Sequence, residues 1–134
     1  MLSLRNSRMR WHLALAQDLS ARICHDLGGP LGGVATALDL MADEPEALGI
    51  ARDGAEVLNR RLRLWRAVAG AGTGDMGTPD MTALLEGAPS GGRVRFDLSA
   101  LPGATLPAQA AQALLAAAML AAEALPRGGT VHLA

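Results

Sequence analysis

Apolar residues recur every three or four positions through the first half of the chain. From Leu13 to Met41 they mark a single stripe, which is typical of one face of a long amphipathic helix. A second stripe with the same spacing runs from Leu48 to Ala69. The acidic run DEPE between them favours the end of one helix and the start of another. The pattern therefore predicts a hairpin of two antiparallel helices.

The second half of the chain changes from helical stripes to shorter and more varied elements. It opens on the glycine-rich run AGAGTGDMGTPD, which indicates a linker. The elements predicted after it are a short helix at 81–87, an alternating strand at 93–99, an alanine-rich helix at 107–125 and a last strand at 129–134. Two strands make only a thin layer, so we expect this α/β unit to be incomplete.

These patterns divide the chain into three predicted regions and give an α+β fold class. The regions are the hairpin (1–70), the linker (71–80) and the small α/β unit (81–134). A hairpin buries one stripe per helix and cannot enclose a core alone. Two copies can form a four-helix bundle, so a homodimer is expected.

Composition excludes several classes of function. The net charge is −1, which argues against nucleic acid or an anionic membrane as the main partner. All 12 basic residues are arginine, which excludes P-loop and Schiff-base chemistry that depends on lysine. The single cysteine, Cys24, suits a reducing compartment. The run WHLALA is too short for a signal peptide, and a cytoplasmic protein is expected.

The segment ICHDLGGPLGG interrupts the first stripe with glycine and proline, the residues that helices tolerate least. Within it, His25 lies roughly 160–200° of helix rotation from the stripe residues Ile23 and Leu27, so its side chain is expected to face solvent. Apart from a charged pair at one end, the other positions predicted on its face carry short side chains or none: Asp18, Ala21, Arg22, Gly28, Gly29, Gly32 and Thr36.

An exposed histidine on a helix is most often simply solvated, and His12 and His132 are expected to be solvated or structural. Metal binding at His25 is disfavoured because no second histidine or cysteine lies three or four positions away. The remaining chemistry is attack by the imidazole itself on phosphorus, with Asp26 orienting the ring and stabilising developing charge. Arg22 is interpreted either as a solvated charge or as a group that steadies a phosphate in transit.

The run His-Asp-Leu-Gly-Gly-Pro-Leu resembles the phosphoacceptor box of two-component histidine kinases. That box has an acid next to its histidine and a proline five positions after it, as Asp26 and Pro30 stand to His25. A long helix bearing the box, a shorter return helix and a trailing α/β unit extend the resemblance over nearly the whole chain. The resemblance also implies dimerisation through a four-helix bundle.

The α/β unit departs from the kinase pattern. EALPRGGTVHL resembles the end of the kinase ATP-binding helix and the strand after it, but the position of the magnesium-binding asparagine is occupied by Leu120, which we expect in the core. The adenine-binding Asp-x-Gly-x-Gly motif is missing, and its nearest counterpart, DMGTP, has Pro79 at the second glycine. A kinase-like hairpin with a degenerate ATP-binding domain resembles the ChpT-type histidine phosphotransferases.

That resemblance implies a phosphorelay carrier between the receiver domains of response regulators and a hybrid histidine kinase. His25 and Asp26 would be catalytic, and the arginine and glycines of the same face would dock the partner. No cofactor is expected in this chain, because the receiver would supply magnesium. Two alternatives stay open: a non-catalytic module that docks on receivers or kinases, and a truncated histidine kinase, against which Leu120 argues. A receiver-phosphatase role is disfavoured, because kinases with that activity usually have Thr or Asn three residues after the acid, and this position is Gly29 here.

Overall fold

The computed structural model describes residues 2–70, 74–90, 92–101, 103 and 105–134, with side chains from Asn6 onward. Within these ranges the elements are, in order, α1 (Leu2–Leu40), α2 (Ala47–Val68), α3 (Thr78–Leu85), β1 (Val94–Asp97), α4 (Ala108–Glu123) and β2 (Gly129–His132). A long helical hairpin is thus followed by a small α/β part, which confirms the predicted α+β fold.

The chain forms two compact units whose boundary falls inside α2. One unit ends at Gly54 and the other begins at Ala55. The predicted regions 1–70, 71–80 and 81–134 follow composition, whereas the contacts group the second half of α2 with the α/β elements. Residues 71–73 of the predicted linker lie outside the described residues.

Small residues let α1 and α2 approach each other closely next to their connecting turn. Ala37, Ala47 and Ala51 form a buried cluster, each at most 5% exposed. One turn further along α2, a Cβ atom added to Gly54 would lie 2.7 Å from Cγ2 of Val34. Glycine is required here because a side chain would enter the space that the valine occupies.

The two predicted stripes are only partly buried within a single chain. Ile23, Leu27 and Val34 are half-buried, whereas Leu31 and Leu38 remain 58% and 50% exposed. Further large apolar side chains of the predicted stripes are also exposed: Leu13, Met41, Leu48 and Leu62. The apolar surface of the two helices therefore exceeds what this chain covers by itself.

The α/β unit contains a two-stranded parallel sheet, with α4 lying between its strands in sequence. The register places Val94 opposite Gly129 and Asp97 opposite His132. Its core is aliphatic, and its largest fully buried side chains are Leu64 from α2, Met81 from α3 and Leu115 from α4. The second half of α2 is therefore part of this core.

Two contacts between distant parts of the sequence fix the ends of α4. Asp75 Oδ1 accepts a hydrogen bond from the backbone N–H of Ala108 at 3.1 Å and so caps the first turn. After the helix, the chain turns into β2 through Gly128, which has a positive φ of 91°. An added Cβ there would lie 2.6 Å from the carbonyl oxygen of Arg93, so this turn requires glycine.

Leu120 does not lie in the core, and that expectation is wrong. Its side chain is 68% exposed, whereas its neighbours Leu115 and Met119 are buried. The alanine-rich composition of α4 hides which face is inward, because alanine fits either surroundings. Despite the length of α1, no helix in the described ranges is apolar enough over a sufficient length to cross a bilayer.

Candidate functional site

His25 lies past the middle of α1, and its side chain is 84% exposed. The helix continues through Pro30, so the glycine- and proline-containing segment does not end it. Because proline has no N–H, α1 lacks the hydrogen bond to the carbonyl of Asp26 at this point. The helical spacing predicted this outward orientation, and the imidazole is open to solvent.

Asp26, unlike His25, is buried. Its side chain is 4% exposed, the only charged side chain buried to this degree among the described residues. Its Oδ1 lies 3.3 Å from Nδ1 of His25. An ionised carboxylate can only accept hydrogen bonds, so this contact favours the tautomer with the proton on Nδ1. The lone pair of the neutral ring is then on Nε2.

Arg22 lies one helical turn before Asp26 and contacts its carboxylate. The Nε atom is 3.3 Å from Oδ1 and 3.4 Å from Oδ2. The side chain of Arg22 is 38% exposed. Arg22, Asp26 and His25 therefore form a connected polar group, in which Oδ1 of the aspartate is shared by the arginine and the imidazole.

The predicted glycine face is open. Gly28, Gly29 and Gly32 are exposed, and an added Cβ at any of them would have no described atom within 4 Å. Packing within the described part of the chain therefore does not require glycine at these positions. The same holds for Gly33. The prediction that these glycines serve an approaching partner is a hypothesis that the surroundings permit.

The sequence alone did not reveal a partner for His132. Its Nδ1 lies 3.0 Å from Oδ2 of Asp97, which stands opposite it in the parallel register. Hydrogen bonds from Ser99 and then from His132 hold the pKa of Asp97 below its ordinary value. The signal that could have found this pair is the strand register. His12 is exposed, as expected.

Metal binding has no geometric support in the described residues. Within them, no three side chains of His, Cys, Asp or Glu are grouped so that they could hold an ion. Cys24, next to His25 in the sequence, is exposed. The chemistry available at His25 is therefore that of the imidazole and its adjoining carboxylate.

Comparison with known proteins agrees with this fold. Residues 78–134 match a family model described as "Histidine phosphotransferase C-terminal domain". Among curated protein sequences, none gives a significant match. A solved structure of a bacterial phosphotransferase is similar over 91% of this chain, with a TM-score of 0.71 and 26% sequence identity. The chain spans 62% of the length of that structure.

The two matches bear on different parts of the chain. The family match lies in the α/β part and begins at the first residue of α3. The structural match extends over most of the hairpin as well, since it covers 91% of the chain. The resemblance to histidine phosphotransferases predicted from the sequence is thereby confirmed, by the family model for residues 78–134 and by the structural match for the fold of most of the chain.

Proposed function

We propose that this protein relays phosphoryl groups through His25, taking them from the aspartyl phosphate of one receiver domain and passing them to the aspartate of another. The observation that carries the proposal is the pairing of an exposed imidazole with a buried carboxylate. The side chain of His25 is 84% exposed, whereas that of Asp26 is 4% exposed. The nucleophile can be reached, and its orienting group is shielded.

The transfer step follows from the assignment of the ring protons. Nε2 of His25 attacks the phosphorus of the receiver's acyl phosphate, an N–P bond forms, and the P–O bond to the receiver aspartate breaks. The aspartate leaves as a carboxylate, and the phosphorylated ring becomes cationic while Nδ1 keeps its proton. Oδ1 of Asp26 stabilises that charge through the hydrogen bond. The return step reverses these bonds on a second receiver.

The partner is expected to approach along the face that His25 shares with Gly28, Gly29 and Gly32. The absence of side chains there lets the receiver backbone come close to the imidazole. We expect magnesium to enter as part of the receiver, where it neutralises the phosphoryl oxygens. Both receivers and the phosphotransferase would meet in the cytoplasm.

In this proposal the protein acts as a homodimer. Leu31 and Leu38 present apolar surface on α1, and Leu48 and Leu62 present it on α2. Exposure of large apolar side chains along both predicted stripes is unusual for a protein that stays monomeric. A second copy of the hairpin would cover the surface and complete a four-helix bundle.

Autophosphorylation from ATP is not part of the proposal. The position that holds a magnesium-binding asparagine in the kinase resemblance is Leu120, whose side chain has no oxygen. Magnesium demands oxygen ligands in near-octahedral geometry. The exposure of Leu120 does not change this argument, since an exposed leucine is no better a ligand than a buried one.

The experiment is incubation with a panel of receivers that have been phosphorylated with radiolabelled acetyl phosphate. Acid-labile label should appear on the wild-type chain and disappear in His25→Ala. The variants His12→Ala and His132→Ala should be labelled as the wild type is. Circular dichroism and light scattering would establish that His25→Ala keeps its fold and assembly. Undiminished labelling of His25→Ala would contradict the proposal.

Two further arms separate the alternatives. Binding of receivers without any transfer of label would make the protein a docking module. Label from ATP and magnesium, with no receiver present, would make it a small kinase.

A further inference from the structure

We propose that Arg22 is a positioning residue for phosphoryl transfer, which holds the carboxylate of Asp26 and, through it, the imidazole of His25. The inference rests on the proposed function and deepens it. It gives Arg22 a different role from partner docking, which is the role that its place on the exposed face predicts.

The contacts of Arg22 are with both oxygens of one carboxylate. Its Nε lies 3.3 Å from Oδ1 and 3.4 Å from Oδ2 of Asp26, so this N–H points between the two atoms. This shared N–H therefore holds the carboxylate in position beside His25 and balances its negative charge.

The same carboxylate contacts the imidazole. Oδ1 of Asp26 is 3.3 Å from Nδ1 of His25 and is also one of the two oxygens that Arg22 contacts. An exposed side chain samples its rotamers within picoseconds to nanoseconds, and His25 is exposed. A fixed acceptor restricts this motion, because the ring keeps its hydrogen bond only in a narrow range of orientations.

Holding the ring also selects its tautomer. When Oδ1 accepts the proton of Nδ1, Nε2 is the free nitrogen that attacks phosphorus. A carboxylate that lacks the contact with Arg22 is held less firmly and selects this tautomer less strongly. Removing Arg22 should therefore slow the chemical step without weakening the encounter with the receiver.

The variants are Arg22→Gln, which removes the charge, and Arg22→Lys, which keeps the charge without the planar guanidinium. Arg8→Gln is the matched control, because it removes an exposed arginine of the same helix that lies 14 positions earlier, roughly 20 Å away. Arg22→Gln should lower the maximal transfer rate about tenfold. In Arg22→Gln, the receiver concentration for half-maximal rate should stay within about twofold of the wild-type value. The maximal rate of Arg22→Lys should fall between those of the wild type and Arg22→Gln, and Arg8→Gln should match the wild type.

A double-mutant cycle and an NMR measurement make the role specific. In an Asp26→Asn background, Arg22→Gln should have a much smaller effect on the rate, because the arginine acts mainly through the carboxylate. Nitrogen-15 chemical shifts of His25, recorded without any receiver, should show the Nδ1-protonated tautomer as the main form in the wild type. Its fraction should fall in Arg22→Gln and stay unchanged in Arg8→Gln.

An unchanged tautomer ratio in Arg22→Gln would overturn the proposal, as would a rate loss of equal size with and without Asp26. A raised half-saturating concentration at an unchanged maximal rate would assign Arg22 to docking instead. The NMR result does not depend on phosphotransfer. If no receiver labels His25 while the tautomer shifts as expected, the positioning role stands and the proposed function fails.

Discussion

The imidazole of His25 and the carboxylate of Asp26 are adjacent in sequence, and Nδ1 lies 3.3 Å from Oδ1. One side chain is 84% exposed and the other 4%. Successive residues on a helix differ by about 100° in direction, which is enough to put one in solvent and the next in the interior. A helix can thus present a nucleophile while its orienting group stays shielded from water.

The first prediction concerns this carboxylate. Asp26→Asn should slow transfer to and from receivers but leave measurable labelling, because assistance of this kind contributes about 10²–10⁴-fold and does not carry the phosphoryl group. Single-turnover transfer followed by rapid quenching gives the rate in each direction. Wild-type rates in both directions would remove Asp26 from the site.

The second prediction concerns the open glycine face. Gly32→Leu should raise the receiver concentration needed for half-maximal transfer by about tenfold or more, since a side chain then occupies the approach path. The matched control is Gly49→Leu, because Gly49 also has no described atom near an added Cβ but lies on α2. Equal behaviour of the two variants would show that the glycines near His25 are not used for docking.

The third prediction concerns the exposed apolar stripe. The double substitution of Leu31 and Leu38 by arginine should convert a dimer into a monomer, because it would place charges in an apolar interface. Ile50→Arg is the control, since Ile50 is 65% exposed but lies off the stripe. Light scattering at micromolar concentration measures the mass. A wild-type chain that is already monomeric and folded would contradict the homodimer.

A fourth prediction compares two glycines of α2. Gly49→Ala should stabilise the protein by roughly 0.5–1 kcal/mol, the ordinary gain for alanine in a helix. Gly54→Ala should instead destabilise it, because the new Cβ would lie 2.7 Å from the stiff side chain of Val34. Urea unfolding gives both free energies of unfolding. If Gly54→Ala and Gly49→Ala raise the free energy of unfolding equally, α1 and α2 can move apart near Gly54 without a loss of stability.

The fifth prediction concerns pH. Hydrogen bonds from Ser99, and then from His132, hold the pKa of Asp97 below its ordinary value of 3.8. A lowered pKa in the folded state contributes stability above the ordinary value, and this contribution is lost as the pH falls through the lowered one. The difference in melting temperature between wild type and Asp97→Asn should therefore be present at neutral pH.

That difference should shrink as the pH is brought below the ordinary value of 3.8. The variant Asp39→Asn controls for the loss of one exposed carboxylate elsewhere. A difference between wild type and Asp97→Asn that does not change with pH would mean that the side chain contributes through packing alone.

Local patterns were sufficient to predict the hairpin, the order of strands and helices and the outward direction of His25, because helical spacing acts within a few residues. Contacts between distant residues were not predictable in the same way. Asp75 caps α4 from 33 positions away, and Asp97 meets His132 across 35 positions. Such pairs depend on register and on the path of the chain, which a single sequence does not display.

The orientation of α4 shows the same limit in a different form. A run dominated by alanine carries little information about which face is buried, so Leu120 was assigned to the core although it is exposed. The contact of Arg22 with Asp26 was within reach of local reasoning, since the two are four residues apart on one helix. The burial of Asp26, which makes that contact relevant to His25, was not predictable from local reasoning.

The boundary between the two compact units falls within α2, and this bears on how the protein can be recombined. Ala47 and Ala51 are buried before the boundary, and Leu64 and Ala67 are buried after it. A chimera joined to a related chain in the turn before α2 would combine residues of two proteins in the core of the first unit. A chimera joined after α2 would do the same in the core of the second unit. Neither unit is expected to be exchangeable by itself, so the helix that carries His25 and the α/β unit are expected to be inherited together.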